Sequence, residues 1–472
     1  MDGWAGKAGT GGRADAARPR HPDLHLIDSR PGGGPAGGDD GLHLFLPDGS
    51  RLYDIDAATA AEFQAALAAD DGDRDAEVRR LLDAYGLSAP PRIDDTPVAD
   101  PPVRSLSLAV AQTCNLGCAY CYARGGDFGG PAKAMPLETA LPAVDFLLAG
   151  TAPGDRVNLA FLGGEPLAAR AVLHACTRHA AERAAARGVT IGFSVTSNGT
   201  LISEDDAALF EAFGFAVTIS LDGTRAAHDR LRPFKNGSGS FDRIMERVVP
   251  LLARQGQAGN RMQVSARITV TPRNLDLPGT LDAFVDAGFH SVGFSPMLAA
   301  PDPAEEMGPA DLEVMLDGMI ACADRFEEQA SAGRRYPFSN LVTALKEIHR
   351  GTHRPYPCGA GAGYLGVSAD GDLGACHRFV GDAAGAMGSL SAGIERDGRN
   401  RWLAERHVHR QQPCAGCWAR YLCGGGCHHE VIHRGRPACG FIRGWLHHCL
   451  AVYGRLGHRV PALFGGESFD GG

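Results

Sequence analysis

The sequence predicts an α/β protein whose central part is six βα units forming a parallel sheet, curled into a full or partial barrel. Three observations predict it. From Ser105 onward, short apolar runs alternate with long amphipathic stretches, the pattern of strands carried back by helices. Polar, Gly-rich motifs follow the first four runs, where the carboxyl ends of barrel strands gather chemistry. The 13 cysteines fall mainly in two groups, three within Cys114 to Cys121 and eight between Cys358 and Cys449, which places a cysteine-rich region after the barrel. At 472 residues the chain has room for two or three domains, and 44% hydrophobic with 21% charged residues suits a sizeable core.

In chain order, residues 1–41 read as a disordered leader, because "PGGGPAGGDDG", Pro31 to Gly41, and the polar run before it have too little apolar surface to order themselves. A small module follows over 42–90. In "LHLFLPDGSRLYD" apolar residues alternate on both sides of a PDGS turn, the signature of a hairpin, and "DIDAATAAEFQAAL" supplies an Asp able to cap the first of two helices. A Pro-rich linker covers 91–104. The barrel is expected over 105–300, with strands at "SLSLAVA", "RVNLAFL", "IGFSVT", "FAVTIS", "QVSARITV" and "HSVGFS". After them come a helical bridge over 301–355, the cysteine-rich region over 356–463 and a tail over 464–472.

The formal charge of −9 argues against phosphate-neutralising contact with nucleic acid. The first thirty residues lack the apolar segment of a signal peptide, and no run of about 18 apolar residues occurs, so a cytoplasmic protein without membrane contact is expected. In a reducing compartment, 13 cysteines are metal ligands or catalytic groups before they are disulfides. Cys176 and Cys322 stand alone in helical, apolar surroundings and read as small buried hydrophobes.

The first cysteine group, in "TCNLGCAYCY", has the spacing C-x3-C-x2-C on the loop after the first strand. Three thiolates at one point leave one iron of a cubane cluster without a protein ligand, and an amino-acid-like molecule can chelate that corner. A zinc site completed by a remote His or Cys is the competing reading, but zinc ligands usually arrive as separated pairs. "CNLGCAYCY" together with "GGEPL", "SNGT" and "SLDGT" resembles the radical S-adenosylmethionine superfamily. The resemblance implies a partial (β/α)6 TIM-like barrel in which Cys114, Cys118 and Cys121 hold a [4Fe–4S] cluster that binds S-adenosylmethionine. It further implies Tyr120 beside the adenine, and Gly163, Gly164 and Glu165 on the methionine amino group. Ser197, Asn198 and Ser220 would serve the ribose and carboxylate, and Arg267 is a candidate for the methionine carboxylate. Each of these polar motifs is also ordinary turn chemistry; their order after successive strands is what favours the site.

The stretch "CAGCWARYLCGGGC", Cys414 to Cys427, with Cys358, Cys376, Cys439 and Cys449 around it, resembles the SPASM extension of radical enzymes that modify ribosomally made peptides. The resemblance implies two auxiliary [4Fe–4S] clusters, three in all. Cys358, Cys376 and Cys427 would hold the first; Cys414, Cys417, Cys423 and a later Cys, with Cys439 favoured, the second. A further Cys near Cys358 is missing, so the first auxiliary cluster has an open iron or is completed by Cys449. Two zincs are the competing reading. The N-terminal module is similar to peptide-recognition domains that capture a leader as an added strand, with a merely structural role as the alternative.

"CGGGCHHE", "RPACGFIRGW" and "LRPFKNGSGSF" look closest to the maturases of quinohemoprotein amine dehydrogenase, which join Cys thiols to side-chain methylenes of Asp or Glu. That resemblance implies a peptide or small protein subunit as substrate, an adenosyl radical taking hydrogen from a carboxylate side chain, an auxiliary cluster accepting the leftover electron, and a reductant such as flavodoxin or ferredoxin. Similar sequences also suit enzymes that form C–C, ether or Cys-to-α-carbon links. No general base for the thiol is assigned; His377, His428, His429 and Glu430 lie beside cluster ligands, where a supporting role to the sulfurs is equally expected. A zinc-containing leader-binding scaffold and a pure electron carrier are the readings from other classes, and neither calls for "GGEP" on a barrel rim.

Overall fold

The structure, a computed structural model, describes residues 21–30, 41–88 and 96–464; residues 1–20, the Gly-rich stretch 31–40, residues 89–95 at the start of the expected linker, and 465–472 of the tail lie outside them. Residues 21–30 depart from the expectation of a disordered leader. His25–Asp28 forms strand β1, which pairs antiparallel with β2 (Leu42–Leu46), itself paired with β3 (Arg51–Asp54). The reason lies in "LHLID": Leu24, Leu26 and Ile27 are buried, which gives this segment apolar surface that the glycines after it lack. Helices α1 (Ala57–Ala68) and α2 (Asp71–Ala84) cover the small sheet, and the Asp56 carboxylate accepts the Thr59 N–H at 2.7 Å as the cap of α1.

Six parallel strands follow: β4 (Ser105–Gln112), β6 (Arg156–Gly163), β7 (Thr190–Ser197), β8 (Ala216–Ser220), β9 (Gln263–Val270) and β10 (Ser291–Pro296), neighbours in that order; the two-residue β5 (Lys133–Ala134) lies antiparallel on β4. Helices α3 (Leu137–Ala149), α4 (Arg170–Ala186), α5 (Glu204–Phe213), α6 (Arg225–Leu231), α7 (Phe241–Gln255) and α8 (Leu277–Asp286) connect them. β6, β8 and β9 alternate in burial where a fully enclosed parallel sheet would be apolar throughout, whereas the central β4 is buried along nearly its whole length. In β9, Val264, Ala266, Ile268 and Val270 are buried, whereas Ser265, Arg267 and Thr269 on the other face are not. One face packs on helices; the other leaves a polar hollow at the heart of a partial barrel. Cys176 and Cys322 are fully buried on α4 and on α9 (Pro309–Ser331), which with α10 (Ser339–His349) bridges to the C-terminal region.

That region does not stand apart from the barrel. β11 (Tyr364–Val367) pairs parallel with β4 on the edge opposite β6, and β12 (Asp372–Gly374), β13 (Ala386–Ser389) and β14 (Gly393–Ile394) continue antiparallel from it, giving one 11-stranded sheet. Helices α11 (Arg396–Arg406), α12 (Arg420–Cys423), α13 (His428–Arg434) and α14 (Cys439–Arg459) complete it. Residues 96–104, read as linker, are pinned: the buried Arg399 guanidinium donates to the carbonyls of Pro101, Gly361 and Ala362. The N-terminal module docks here as well. His25 stacks on Trp418 with ring centroids 3.7 Å apart, its Nε2 lies 2.9 Å from His447 Nδ1, and Arg420 pairs with Asp23 at 3.1 Å.

Candidate functional site

All thirteen cysteines are free thiols. Cys114, Cys118 and Cys121 sit on the loop after β4, close enough that each of the first two feels the charge of its neighbours. Burial raises the Cys114 thiol and pushes Cys118 up to about 11. Without a cation these thiols keep their protons, so metal binding here releases protons and supplies the charge that burial withholds.

The loop is held by unusual backbone. Of residues 124–129, Arg124, Gly125, Gly126, Phe128 and Gly129 all have positive φ, between 51° and 103°. A Cβ on Gly126 would meet Cys114 N, Cys114 Cβ and Gly164 Cα at 2.8 Å. Gly164 is equally confined, since a Cβ there would lie 2.2 Å from the Thr113 carbonyl oxygen, and one on Gly163, at φ +151°, the same distance from that of Ala111. The glycines of "GGEP" therefore press bare backbone against the thiol loop.

Glu165 is 0% exposed and held from inside: Oε1 accepts from Leu167 N (3.0 Å) and Ser197 Oγ (2.9 Å), and Oε2 accepts from Asn198 N (2.7 Å). It ties the end of β6 to the end of β7 and positions the rim. Ser197 is spent on the same bond. Asn198 is buried too, its Nδ2 donating to Asn115 Oδ1 at 2.9 Å and reaching Cys114 Sγ at 3.7 Å, so it supports the first thiol. Ser220 at the end of β8 stands beside Arg267, midway along β9. Arg267 faces the hollow with no ionic partner among the described residues, and its withdrawal from bulk water lowers its pKa. An unpaired guanidinium in that position calls for an anion.

A buried triad escaped the sequence reading. The Tyr120 hydroxyl donates to Asp222 and accepts from Arg232 Nη1 (2.6 Å), Arg232 lies 3.7 Å from Asp222, and Asp222 also accepts the Thr269 N–H at 2.9 Å. Tyr120 is thus tied by its hydroxyl to this triad. The Arg232 cation acts on Cys114, Cys118 and Glu165 at once. "LDGT" and "LRPF" were visible motifs; what joins them is a contact across the barrel mouth.

In the C-terminal region the thiols form two further sets. Cys376 feels Cys427 and Cys358, and burial pushes it up to about 12. Cys414, Cys417, Cys423 and Cys439 line one cavity, and Cys414, at about 11 through burial, feels the other three. Cys427 also borders that cavity. Three- and four-thiol sets of this kind suit iron–sulfur clusters as donors. Cys449 joins neither. It is fully buried on α14, ten residues and so about 15 Å past Cys439, with no thiol among the groups acting on it.

Arg378 links the sets. Its Nη1 reaches Cys427 Sγ at 3.6 Å and Glu430 Oε1 at 2.7 Å, and the guanidinium lies 5.5 Å from the ring centroid of Tyr122, the residue after Cys121. His377 hydrogen-bonds the Tyr364 hydroxyl at 2.8 Å, and burial drops His377, His428 and His429 each to about 4, so they are neutral at pH 7. Between the sets opens a cavity of about 680 Å³, lined by Tyr122, Arg124, Phe128, Ala300, Arg378, Asp382, His429, His433 and Arg434 among others. Three guanidinium groups face it against one carboxylate. Arg378 and Arg434 are paired with Glu430 and Glu306; Arg124 has no ionic partner among the described residues.

The fold is that of the radical SAM enzymes, and residues 108–254 match the Radical SAM superfamily. The chain is also similar to anaerobic sulfatase-maturating enzymes. It is 26% identical over 371 residues to the serine-type anaerobic sulfatase-maturating enzyme of Klebsiella aerogenes, covering 76% of this chain and 86% of that one. To the cysteine-type anaerobic sulfatase-maturating enzyme of Clostridium novyi it is 30% identical over 235 residues, 46% of this chain and 59% of the other. The solved structure of native anSMEcpe with bound AdoMet and Cp18Cys peptide superposes with a TM-score of 0.59 at 20% identity, over 75% of this chain and 98% of that one, and so shares the fold. No helix of the described residues is long and apolar enough to cross a membrane.

Proposed function

We propose that the protein modifies a ribosomally made peptide or small protein subunit by forming Cys-to-Asp/Glu thioether cross-links. The observation that carries this reading is the cavity between the first thiol trio and the Cys358, Cys376 and Cys427 set, open to a peptide and rich in guanidinium groups that suit a carboxylate-bearing substrate. Cys114, Cys118 and Cys121 would hold a [4Fe–4S] cluster, and the two C-terminal sets, the second with Cys414, Cys417, Cys423 and Cys439, would hold auxiliary ones. When bound and reduced, the first cluster with S-adenosylmethionine supplies a 5′-deoxyadenosyl radical able to take a hydrogen atom from a substrate carbon. The chain's own residues do the rest by placement. Arg267 and Ser220 suit the methionine carboxylate; Gly163 and Gly164 keep the rim close to the thiol loop; Arg124 and Arg434 orient the substrate carboxylate; Tyr122 and Phe128 exclude water from the cavity wall.

Overall, one S–H and one C–H bond of the peptide break and one C–S bond forms; the carbon's hydrogen atom would leave in 5′-deoxyadenosine, the thiol proton would go to water, and the remaining electron would pass to an auxiliary cluster. Co-expression with small, acidic, Cys-containing proteins, read by mass spectrometry, tests this. The expected product has lost two hydrogens per bond and the matching alkylatable thiol. No change in any candidate, or loss of hydrogens with the thiol still alkylatable, sinks the thioether reading. A second reading, that a sulfatase is the substrate, rests on the sulfatase-maturating relatives that align over most of the chain. Modification of a co-expressed sulfatase, with small Cys peptides untouched, would select it.

A further inference from the structure

We propose that Asp382, His429 and His433 form a mononuclear site for a divalent cation of the zinc type in the wall of the substrate cavity, separate from the thiol sets. The sequence from His429 reads His-Glu-Val-Ile-His, two histidines four residues apart, and the segment is helical in α13. That spacing puts both rings on one face of a helix, where they can share an ion. Their ring centroids are 4.6 Å apart.

The third donor comes from a different element. Asp382 Oδ2 lies 2.6 Å from His433 Nε2 and 3.8 Å from His429 Nε2, and one atom from each of the three residues falls within 4.8 Å of the others. A tetrahedral ion with bonds of about 2.0–2.1 Å holds its donors about 3.4 Å apart, and the two observed separations bracket that value. The carboxylate is also oriented in advance: its Oδ1 accepts the Ala384 N–H at 2.9 Å, which leaves Oδ2 to the histidines. All three residues line the cavity, so a fourth position would open toward substrate. Three protein donors with one open position is the pattern of reactive zinc sites; structural sites are closed by four.

The motif is shared with zinc hydrolases, where the Glu acts as base, but here Glu430 is held by Arg378 at 2.7 Å and is not free for that role. The ion's part would differ. If the cross-linking reading holds, the open position takes the substrate Cys sulfur as a thiolate, its proton passing to water, which fills the place of the base that the thiol chemistry lacks.

The test uses untagged, anaerobically reconstituted holoenzyme with iron and sulfide quantified, incubated with equimolar Zn2+ alone, gel-filtered and analysed for metals. We expect one zinc retained per chain at unchanged iron. His433→Gln and Asp382→Asn, at parental iron content, should bind zinc at least tenfold more weakly, while His458→Gln, at an exposed histidine elsewhere, should match the parent. Zinc washed off, zinc gained only as iron is lost, or zinc held equally by all three variants overturns the site. No peptide enters this measurement, so its failure leaves the cross-linking reading standing, and failure of cross-linking leaves the zinc count standing.

Discussion

The Arg232 guanidinium reaches the first thiol loop, the Glu165 rim and the Asp222 carboxylate together. Asp222 is 0% exposed, and burial raises its pKa against the pull of Arg232. Arg232→Met leaves that carboxylate buried without its cation, a loss of about 3–5 kcal/mol in comparable cases. The expected result is a lower denaturation midpoint for the metal-free protein and no 5′-deoxyadenosine from the reconstituted one; an unchanged midpoint would refute the pairing. His228 gives a pH dependence. Its Nδ1 lies 3.2 Å from Asp222 N and accepts that proton, its Nε2 lies 3.0 Å from Ser240 Oγ, and burial, helped by Arg232, drops its pKa to about 3. The unfolded chain, with a histidine near 6.5, therefore binds more protons than the folded one between about pH 6.5 and 3. Stability is complete above that range and falls with acidification at roughly 1.4 kcal/mol per pH unit for such a group. His228→Asn should flatten that limb in metal-free protein followed by urea titration from pH 7 to 5. These residues were present in the sequence as "LDGT", "HDR" and "LRPF", but nothing in their spacing says that they meet.

At the scale of elements, α14 separates two cysteines that the sequence left as competitors. Cys439 opens the helix beside the cavity of Cys414, Cys417 and Cys423, and Cys449 lies three turns on in the core. Cys439→Ala should lose iron on reconstitution, whereas Cys449→Ala should keep it at a modest cost in stability; elemental analysis of both variants decides, and iron lost from Cys449→Ala alone would reverse the assignment. The six barrel strands were legible because each is a short apolar run bounded by Gly and polar turn residues, and the observed strands fall on all six. β1 was not, because four residues rich in His and Asp carry little strand signal until β2 is there to pair with them.

Over the whole molecule, the first and last parts of the chain close on each other. β1 lends its sheet to the N-terminal module and its His25 ring to Trp418, and Arg455 of α14 donates to the Ser29 carbonyl at 3.2 Å. The same β1 covers one edge of the hairpin, so a captured leader strand would have to use the β3 edge or the outer edge of β1 itself. Removal of residues 1–30 should lower the thermal midpoint of the reconstituted protein by several degrees, as loss of ~1–2 kcal/mol does in domains of this class, and speed hydrogen exchange at the amides of β2. Unchanged exchange there would mean that β1 adds nothing.

The sequence by itself determined the class: three thiols at C-x3-C-x2-C after a strand, glycine motifs after the next strands and a second crowd of cysteines are local facts, since ligand spacing within a loop and the strand-to-loop order survive any folding. Which cysteines share a site, that Glu165 and Asn198 brace the rim, that Arg232 meets Asp222, and that the C-terminal strands extend the barrel sheet were decided only by tertiary structure. These are contacts between residues tens to hundreds apart, and whether a polar side chain is spent inside or offered to a ligand depends on the partners that packing brings to it.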